Sequence, residues 1–428
     1  MVAIAQDLAP VQARHWAARP LPEPPRSHRM SKSAPPQHDR IGLLLEDWMS
    51  ELTVGNTLDA PLQKLFGTND VRVFAASHAP LTWLGMNPNT RALFRWSGRA
   101  LVGGAERAWS LILKVWRRDS KTDASEQWTY WKREFLAYSS GLLDDLPGIS
   151  APRLFGAADE GDVAFVWLEE VPEDGDHRWP TARYVTAGLH LGRFNGAYLS
   201  GRPIPKAPFL SRDQLRSWTN WIPWADVVRS PASWSHPLAA AAIGDPPIQR
   251  LERLHSQVGP LFDRLDRLPQ TFSHLDAWRS NLISARGADG AERTVAIDWS
   301  AVGMAPAGQE IAILVGGSHI WLDAEPDELA SMSKRAFAAY VDGLREAGWR
   351  GDERVVRFAY AASTALYLAP VVPFWLARIA DPVRREWVER KCGRVAEDVV
   401  RAWVVLLNHA LERAEEAYGL TDRLEQAH

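Results

Sequence analysis

Cysteine is nearly absent. Cys392 is the one thiol in 428 residues, which excludes an internal disulfide framework and a cysteine-based zinc site and agrees with a reducing, cytoplasmic setting. Long apolar runs are missing too. No stretch of about 18 or more uninterrupted apolar residues occurs, so a membrane span is not expected. Met1 to Pro10 lack the charged start and long apolar segment of a secretory signal. Neither sign of charge dominates: a formal net charge of -3 implies no bulk attraction to nucleic acid or to an anionic membrane. A glycine-rich phosphate loop is also not visible.

What is present is an ordinary globular composition, 46% apolar and 24% charged, on a chain long enough for two lobes. Tryptophan is abundant, with 21 copies. Most of these are expected to pack in the core, since an indole buries a large area and lines pockets only in part. Residues 1–40 are rich in proline and arginine and poor in large aliphatics, so they are expected to be a disordered leader, with Met30 a candidate start. Residues 41–170 are expected to form a small lobe. The first half of Ile41 to Leu65 has helical spacing, and short strands are expected at 71–74, 90–96 and 109–116, with Gly103-Gly104 turning between the last two. The aromatic period of Trp128, Trp131, Phe135 and Tyr138 predicts a helix over 125–142, and a strand pair is expected at 153–156 and 163–168. After a polar linker at 169–175, residues 171–428 read as a larger, mainly helical lobe with one strand-rich island at 271–300. The fold class is therefore α+β.

The island carries the chemistry. Thr271-Phe272-Ser273-His274-Leu275-Asp276-Ala277-Trp278-Arg279-Ser280-Asn281-Leu282 is followed by Ile297-Asp298-Trp299-Ser300. Carboxylates among apolar flanks are costly unless paired, bonded or bound to metal. Asp276, Asn281 and Asp298 converge if the two segments form a hairpin with 284–293 as its loop. Two carboxylates and an amide are the hard-oxygen set that Mg²⁺ prefers. An Asp followed five residues later by an Asn is also the spacing of a kinase catalytic loop.

His274-x-Asp276-x-x-x-x-Asn281 with Ile297-Asp298-Trp299 resembles the active-site signature of the aminoglycoside phosphotransferase and choline kinase group, which has the protein-kinase-like fold. The resemblance covers residues from about 70 to 320. It implies a two-lobed molecule with a small antiparallel sheet lobe and a helical lobe. It implies ATP and Mg²⁺ as cofactors and transfer of the γ-phosphoryl group to a small-molecule hydroxyl. Asp276 would be the catalytic base, Asn281 and Asp298 would hold Mg²⁺, and His274 would brace the catalytic loop. Lys114, inside an apolar strand, would contact the phosphates, and Glu134 would pair with it. Glu169, Glu170 and Val171 would be the hinge at which adenine binds, with Glu169 and Val171 as nucleotide contacts. Gly308-Gln309-Glu310 matches a stretch where the family more often has Asp. His274-Leu275-Asp276 replaces the commoner His-Gly-Asp, and Ala277-Trp278-Arg279 replaces a run with His and Pro. Asn87-Pro88-Asn89-Thr90 stands where the phosphate loop is expected.

Other readings of the same residues stay open in the sequence. Lys114 also fits an edge-strand lysine with its head in water. Glu134 fits a solvated helix charge, with Glu126 as its rival for Lys114. His190, on an apolar helix, reads as a satisfied core histidine. A non-catalytic nucleotide-binding module on the same fold, or a metal-dependent hydrolase using His274, Asp276 and Asp298, are the rival functions. A protein kinase is disfavoured because no activation segment ending in Ala-Pro-Glu follows Asp298. The aromatic residues Trp218, Trp221, Trp224, Trp234, Tyr360, Tyr367, Phe374 and Trp375 point either to core or to a pocket for a ring-containing acceptor. A cationic acceptor would need an acidic pocket, for which Asp213, Asp226, Asp323, Glu325, Asp327 and Glu328 are the candidates.

Overall fold

The computed structural model describes residues 58–81, 90–176, 178–287 and 289–425. The leader, the helical spacing of 41–53 and the Asn87-Pro88-Asn89 loop lie outside the described residues. The first described element is a short helix, α1 (Asp59–Phe66), in the second half of the 41–65 segment. Asp59 and Pro61 suit its first turn, and Gly67 ends it at φ 69°.

A five-stranded antiparallel sheet follows: β1 (Val71–Pro80), β2 (Thr90–Val102), β3 (Ala105–Arg117), β4 (Leu154–Asp159) and β5 (Val163–Glu169), in the order β1-β2-β3-β5-β4. The strands are longer than the apolar runs that announced them, because β1 continues to Pro80 as an exposed edge. Gly103 and Gly104, at φ 58° and 80°, form the two-residue turn that joins β2 to β3, a geometry that suits glycine. Alternation along β3 sorts its side chains. Trp109, Leu111, Leu113 and Val115 join the buried cluster under α1 with Leu62, Trp96 and Trp167, while Ile112, Lys114 and Trp116 face the other way.

Between β3 and β4 lies α2 (Arg133–Ser139), which begins eight residues later than the aromatic period predicts. The cause is Arg133. Its guanidinium donates to the carbonyls of Ser125 (3.1 Å), Gln127 (2.6 Å) and Trp128 (2.6 Å), which a helix through 125–132 would need for its own ladder. The segment therefore wraps the arginine as turns.

The rest is helical apart from two small two-stranded sheets. In order come α3 (Thr181–Leu199), α4 (Gln214–Trp221), α5 (Trp224–Arg229), α6 (Pro231–Trp234), α7 (Pro237–Ile243), α8 (Ile248–Ser256) and α9 (Val258–Arg267). Then follow β6 (Gln270–Ser273), β7 (Leu282–Arg286), β8 (Glu292–Ala296) and β9 (Gly303–Pro306). α10 (Gln309–Ile320), α11 (Leu329–Glu346), α12 (Glu353–Leu368), α13 (Val371–Arg378), α14 (Pro382–Cys392) and α15 (Ala396–Glu425) complete the lobe. β7 pairs with β8 around a tighter loop than 284–293, and 270–273 pairs instead with β9, a strand the sequence did not announce. Among the described residues, Glu353–Arg378 is the stretch long and apolar enough to cross a membrane, but 89% of its apolar window is buried inside the protein. Its side chains belong to the large core that runs from Trp116 through α3 and α10 to α15.

Candidate active site

Every predicted site residue reaches one cleft between the sheet and the helical lobe, or braces it. Lys114 sits mid-strand on β3, opposite Leu93 of β2 and Val166 of β5, and is 8% exposed. The edge-strand reading is thereby excluded. Its ammonium lies 2.7 Å from Glu134 Oε2 and 3.1 Å from Asp298 Oδ1. Glu126 is exposed and bonded to Ser125, so the partner is Glu134. Burial alone would lower the Lys114 pKa, but Asp298 and Glu134 hold it above its ordinary value. The ammonium in turn keeps Asp298 below the usual carboxylate range although burial pushes it up. Glu134 is pushed up to about 8 by burial, against the pull of Lys114.

The segment that holds the candidate catalytic residues runs from β6 to β7. Asp276 and Asn281 are tied together: the Asn281 amide donates to Asp276 Oδ2 (2.7 Å) and to its carbonyl (2.9 Å). This directs the Asn281 carbonyl oxygen away from Asp276. Burial drives Asp276 well above the usual carboxylate range, and the charge of Asp298 adds to it. His274 Nδ1 accepts from the Asp276 N–H (3.2 Å), so its proton is on Nε2, which donates to the Ile297 carbonyl (2.9 Å). Burial lowers the His274 pKa to about 4, keeping the ring neutral, and it packs edge-on against Trp299 at 4.5 Å. It joins the loop before Asp276 to the strand end before Asp298 and touches neither metal-binding candidate.

Leu275 stands at φ 66° and is fully buried against Ala301 and Ala305. The backbone here adopts the region that glycine enters freely and that a leucine enters only under strain. Truncation should therefore invert the usual order: Leu275→Gly loses packing but relieves strain, whereas Leu275→Ala loses packing and keeps it. Urea melts should find the glycine variant more stable than the alanine variant by about 1 kcal/mol, with both below wild type.

Glu310 lies in the first turn of α10, after Gly308 at φ 113°. Its Oε2 accepts from the His274 N–H (2.9 Å) and its Oε1 from the Leu275 N–H (3.0 Å). The extra methylene relative to Asp thus still serves a brace under the strained turn. Burial holds Glu310 up to about 7, against an ordinary value of 4.5. A group raised in the folded state stabilises fully below its unfolded pKa and loses that contribution as pH rises through the folded one. Stability should accordingly fall between about pH 4.5 and 7, and in Glu310→Gln this slope should be shallower. Thermal melts across that range decide it.

The cleft has a volume of about 480 Å³. Ile112, Leu168, Ile297 and the 169–171 segment line its sheet side. The side chains of Glu169 and Glu170 are tied to Arg153 and Arg95. On the helical side are Trp128, Gln214, Trp218, Trp278, Tyr367, Trp387 and Lys391. Of the aromatic candidates, only Trp218 and Tyr367 line the cleft, stacked at 5.4 Å. Trp224, Trp234, Tyr360, Phe374 and Trp375 are buried in the core, and Trp221 packs behind Trp218. His190 is satisfied by Thr294 at 2.9 Å. Gln214 and Lys391 were not among the sequence candidates and carry no local signal. Trp128 carried only its place in the aromatic period. The hydrolase reading requires a cluster of three or more His, Cys, Asp or Glu ligands, and none occurs among the described residues.

No family model and no curated protein matches the chain. Solved structures are similar to it at low identity. An amicoumacin kinase in complex with AMP-PNP, Ca²⁺ and Ami is 13% identical, over 76% of this chain and 87% of that one, with a TM-score of 0.43. A microcompartment-associated aminopropanol kinase is 16% identical, over 78% and 94%, with a TM-score of 0.43. An aminoglycoside phosphotransferase from Streptomyces rimosus is 17% identical, over 74% and 98%, with a TM-score of 0.38.

Proposed function

We propose that this protein is an ATP- and Mg²⁺-dependent kinase that transfers the γ-phosphoryl group to a hydroxyl of a small molecule. The observation that carries the reading is the meeting, in one cleft, of a buried strand lysine clasped by Glu134 and Asp298 with a carboxylate–amide pair, Asp276 and Asn281. A structural ion pair alone gives no reason for Asp276 and Asn281 to lie beside it.

The chain's own groups suit the parts of such a reaction. The Lys114 ammonium, held charged by two carboxylates, would neutralise phosphate oxygens of the nucleotide, and the apolar sheet side with the 169–171 segment would seat the base. Mg²⁺ fits the donor set: Asp298 stays ionised, and Asn281 presents a carbonyl oxygen once its nitrogen is given to Asp276. When bound, the metal would offset negative charge on the phosphate oxygens. Asp276 would orient the acceptor hydroxyl. As the new O–P bond forms and the bond to the leaving ADP breaks, its carboxylate would take the hydroxyl proton. Its raised proton affinity suits that task.

The test is Mg²⁺-dependent ATP consumption with a panel of hydroxylated antibiotics, sugars, amino alcohols and nucleosides. Turnover with one acceptor supports the reading. ATP binding without transfer to any of them favours a non-catalytic nucleotide-binding module, and absence of ATP binding overturns the kinase reading.

A further inference from the structure

Resting on that reading, we infer that the acceptor is a hydroxylated, ring-bearing molecule with a carboxylate or similar anionic group, which Lys391 recognises. Lys391, on α14, lines the helical side of the cleft and is half-buried. Its ammonium stands 4.9 Å from the ring centre of Trp278 and 5.8 Å from that of Trp321, and it has no ion pair within 4 Å among the described residues. The Trp278 ring beneath it follows Asp276 by two positions, and all three side chains line the same space. A ring lying on Trp278 thus has a hydroxyl-activating carboxylate near one part of it and a cation near another.

Three further observations point the same way. Burial pulls the Lys391 pKa down against the fields of Asp323 and Asp276, so the ammonium is short of compensation, which an anionic ligand would supply. Gln214, 6% exposed, has a buried Oε1 with no hydrogen-bond partner among the described residues, and it lies one helical turn before Trp218 on α4. Side chains four apart share a face of a helix, and both line the cleft. A small side-chain rotation would bring that unpaired oxygen to the cleft, where it could accept from a second hydroxyl or an N–H of the same ligand.

Finally, none of the six acidic residues that were the candidates for receiving a cationic acceptor lines the cleft. Asp213, Asp226, Asp327 and Glu328 are exposed, and Glu325 is paired with Arg394. Asp323 faces Ser280 and is not among the lining residues. A cationic acceptor on Trp278 would bring a second positive charge beside Lys391, while the cleft carboxylates other than Asp276 are already paired: Glu134 and Asp298 with Lys114, Glu169 with Arg153 and Glu170 with Arg95.

The experiment is calorimetric titration of the full chain with three matched probes: para-(hydroxymethyl)benzoate, para-benzenedimethanol and para-(hydroxymethyl)benzylamine. The benzoate should bind at least about tenfold tighter than the diol and the amine, the usual reach of one charge-assisted hydrogen bond. In Lys391→Met that preference should vanish while the diol binds as before, and Lys391→Arg should restore it. Equal affinities, a tighter amine, no binding of any probe, or a preference that survives in Lys391→Met overturns the inference. AMP-PNP titrated separately keeps the two questions apart. If it binds while the benzoate preference is missing, the kinase reading stands and the anionic acceptor falls. If it does not bind, the kinase reading falls on its own evidence.

Discussion

In Asp276→Asn, phosphoryl transfer should fall by about 10²–10⁴-fold while AMP-PNP affinity stays within about twofold of wild type. The substitution keeps the shape of the side chain and leaves oxygens to accept from Asn281, whose amide lies 2.7 Å from the carboxylate. It removes the capacity to take a proton. Burial and the neighbouring charge of Asp298 raise the Asp276 pKa, so the acid limb of the wild-type rate profile should lie above the ordinary carboxylate range, with activity rising as pH rises through it. That limb should be missing from the residual activity of the variant. Transfer that stays within about tenfold of wild type would show that another group takes the proton.

Removal of the Lys114 ammonium should be the largest single loss of stability at this site. Lys114→Met leaves Glu134, 2% exposed, and the partly buried Asp298 without their shared cation. Breaking a buried pair from one side costs about 3–5 kcal/mol, because the remaining charge has lost its solvent and its partner. The deficit should shrink at acid pH. With the ammonium gone, both carboxyls have folded-state values above their unfolded ones, so their contribution is favourable below the unfolded pKa and lost as pH rises. The double variant Lys114→Met with Glu134→Leu should regain part of the loss, since it replaces an orphan acid with an apolar side chain of similar volume. Chemical denaturation of wild type, single and double variants at two pH values measures all of this. A single variant as stable as wild type at neutral pH would mean that the cation is not what holds the two carboxylates.

The parts of this site that could be read in the sequence are those whose partners are local. His274, Asp276 and Asn281 lie within one loop, and Asp298 follows by one short hairpin, so spacing alone brings them near one another. Lys114 was legible as a polar residue inside an apolar alternation, although only the register with β2 and β5 tells an interior strand from an edge. Glu134 was ambiguous because an amphipathic helix normally carries solvated acids, and burial of one is decided by tertiary packing. The aromatic period over 125–142 misled for a related reason: Arg133 competes for the backbone carbonyls, and no periodicity can register a guanidinium turned inward. Gln214 and Lys391 reach the cleft from helices far apart in the chain, so their roles had no local trace. The hairpin loop is five residues shorter than expected because β7 and β8 stay paired out to Arg286 and Glu292.

Arg133 has a consequence for the proposed reaction, in which two substrates would share the cleft. Besides the three carbonyls of 125–128, it donates to Phe209 (2.6 Å) and Ser300 (3.3 Å). One guanidinium thus fastens the turn bearing Trp128, on the acceptor wall, to the helix bearing Glu134 and to the segment just past Asp298. An occupant that shifted Trp128 would then be expected to strain the mounting of both carboxylates that hold Lys114. If the proposed acceptor and nucleotide are coupled in this way, thermodynamic reciprocity requires that each change the other's affinity by the same factor, whichever enters first.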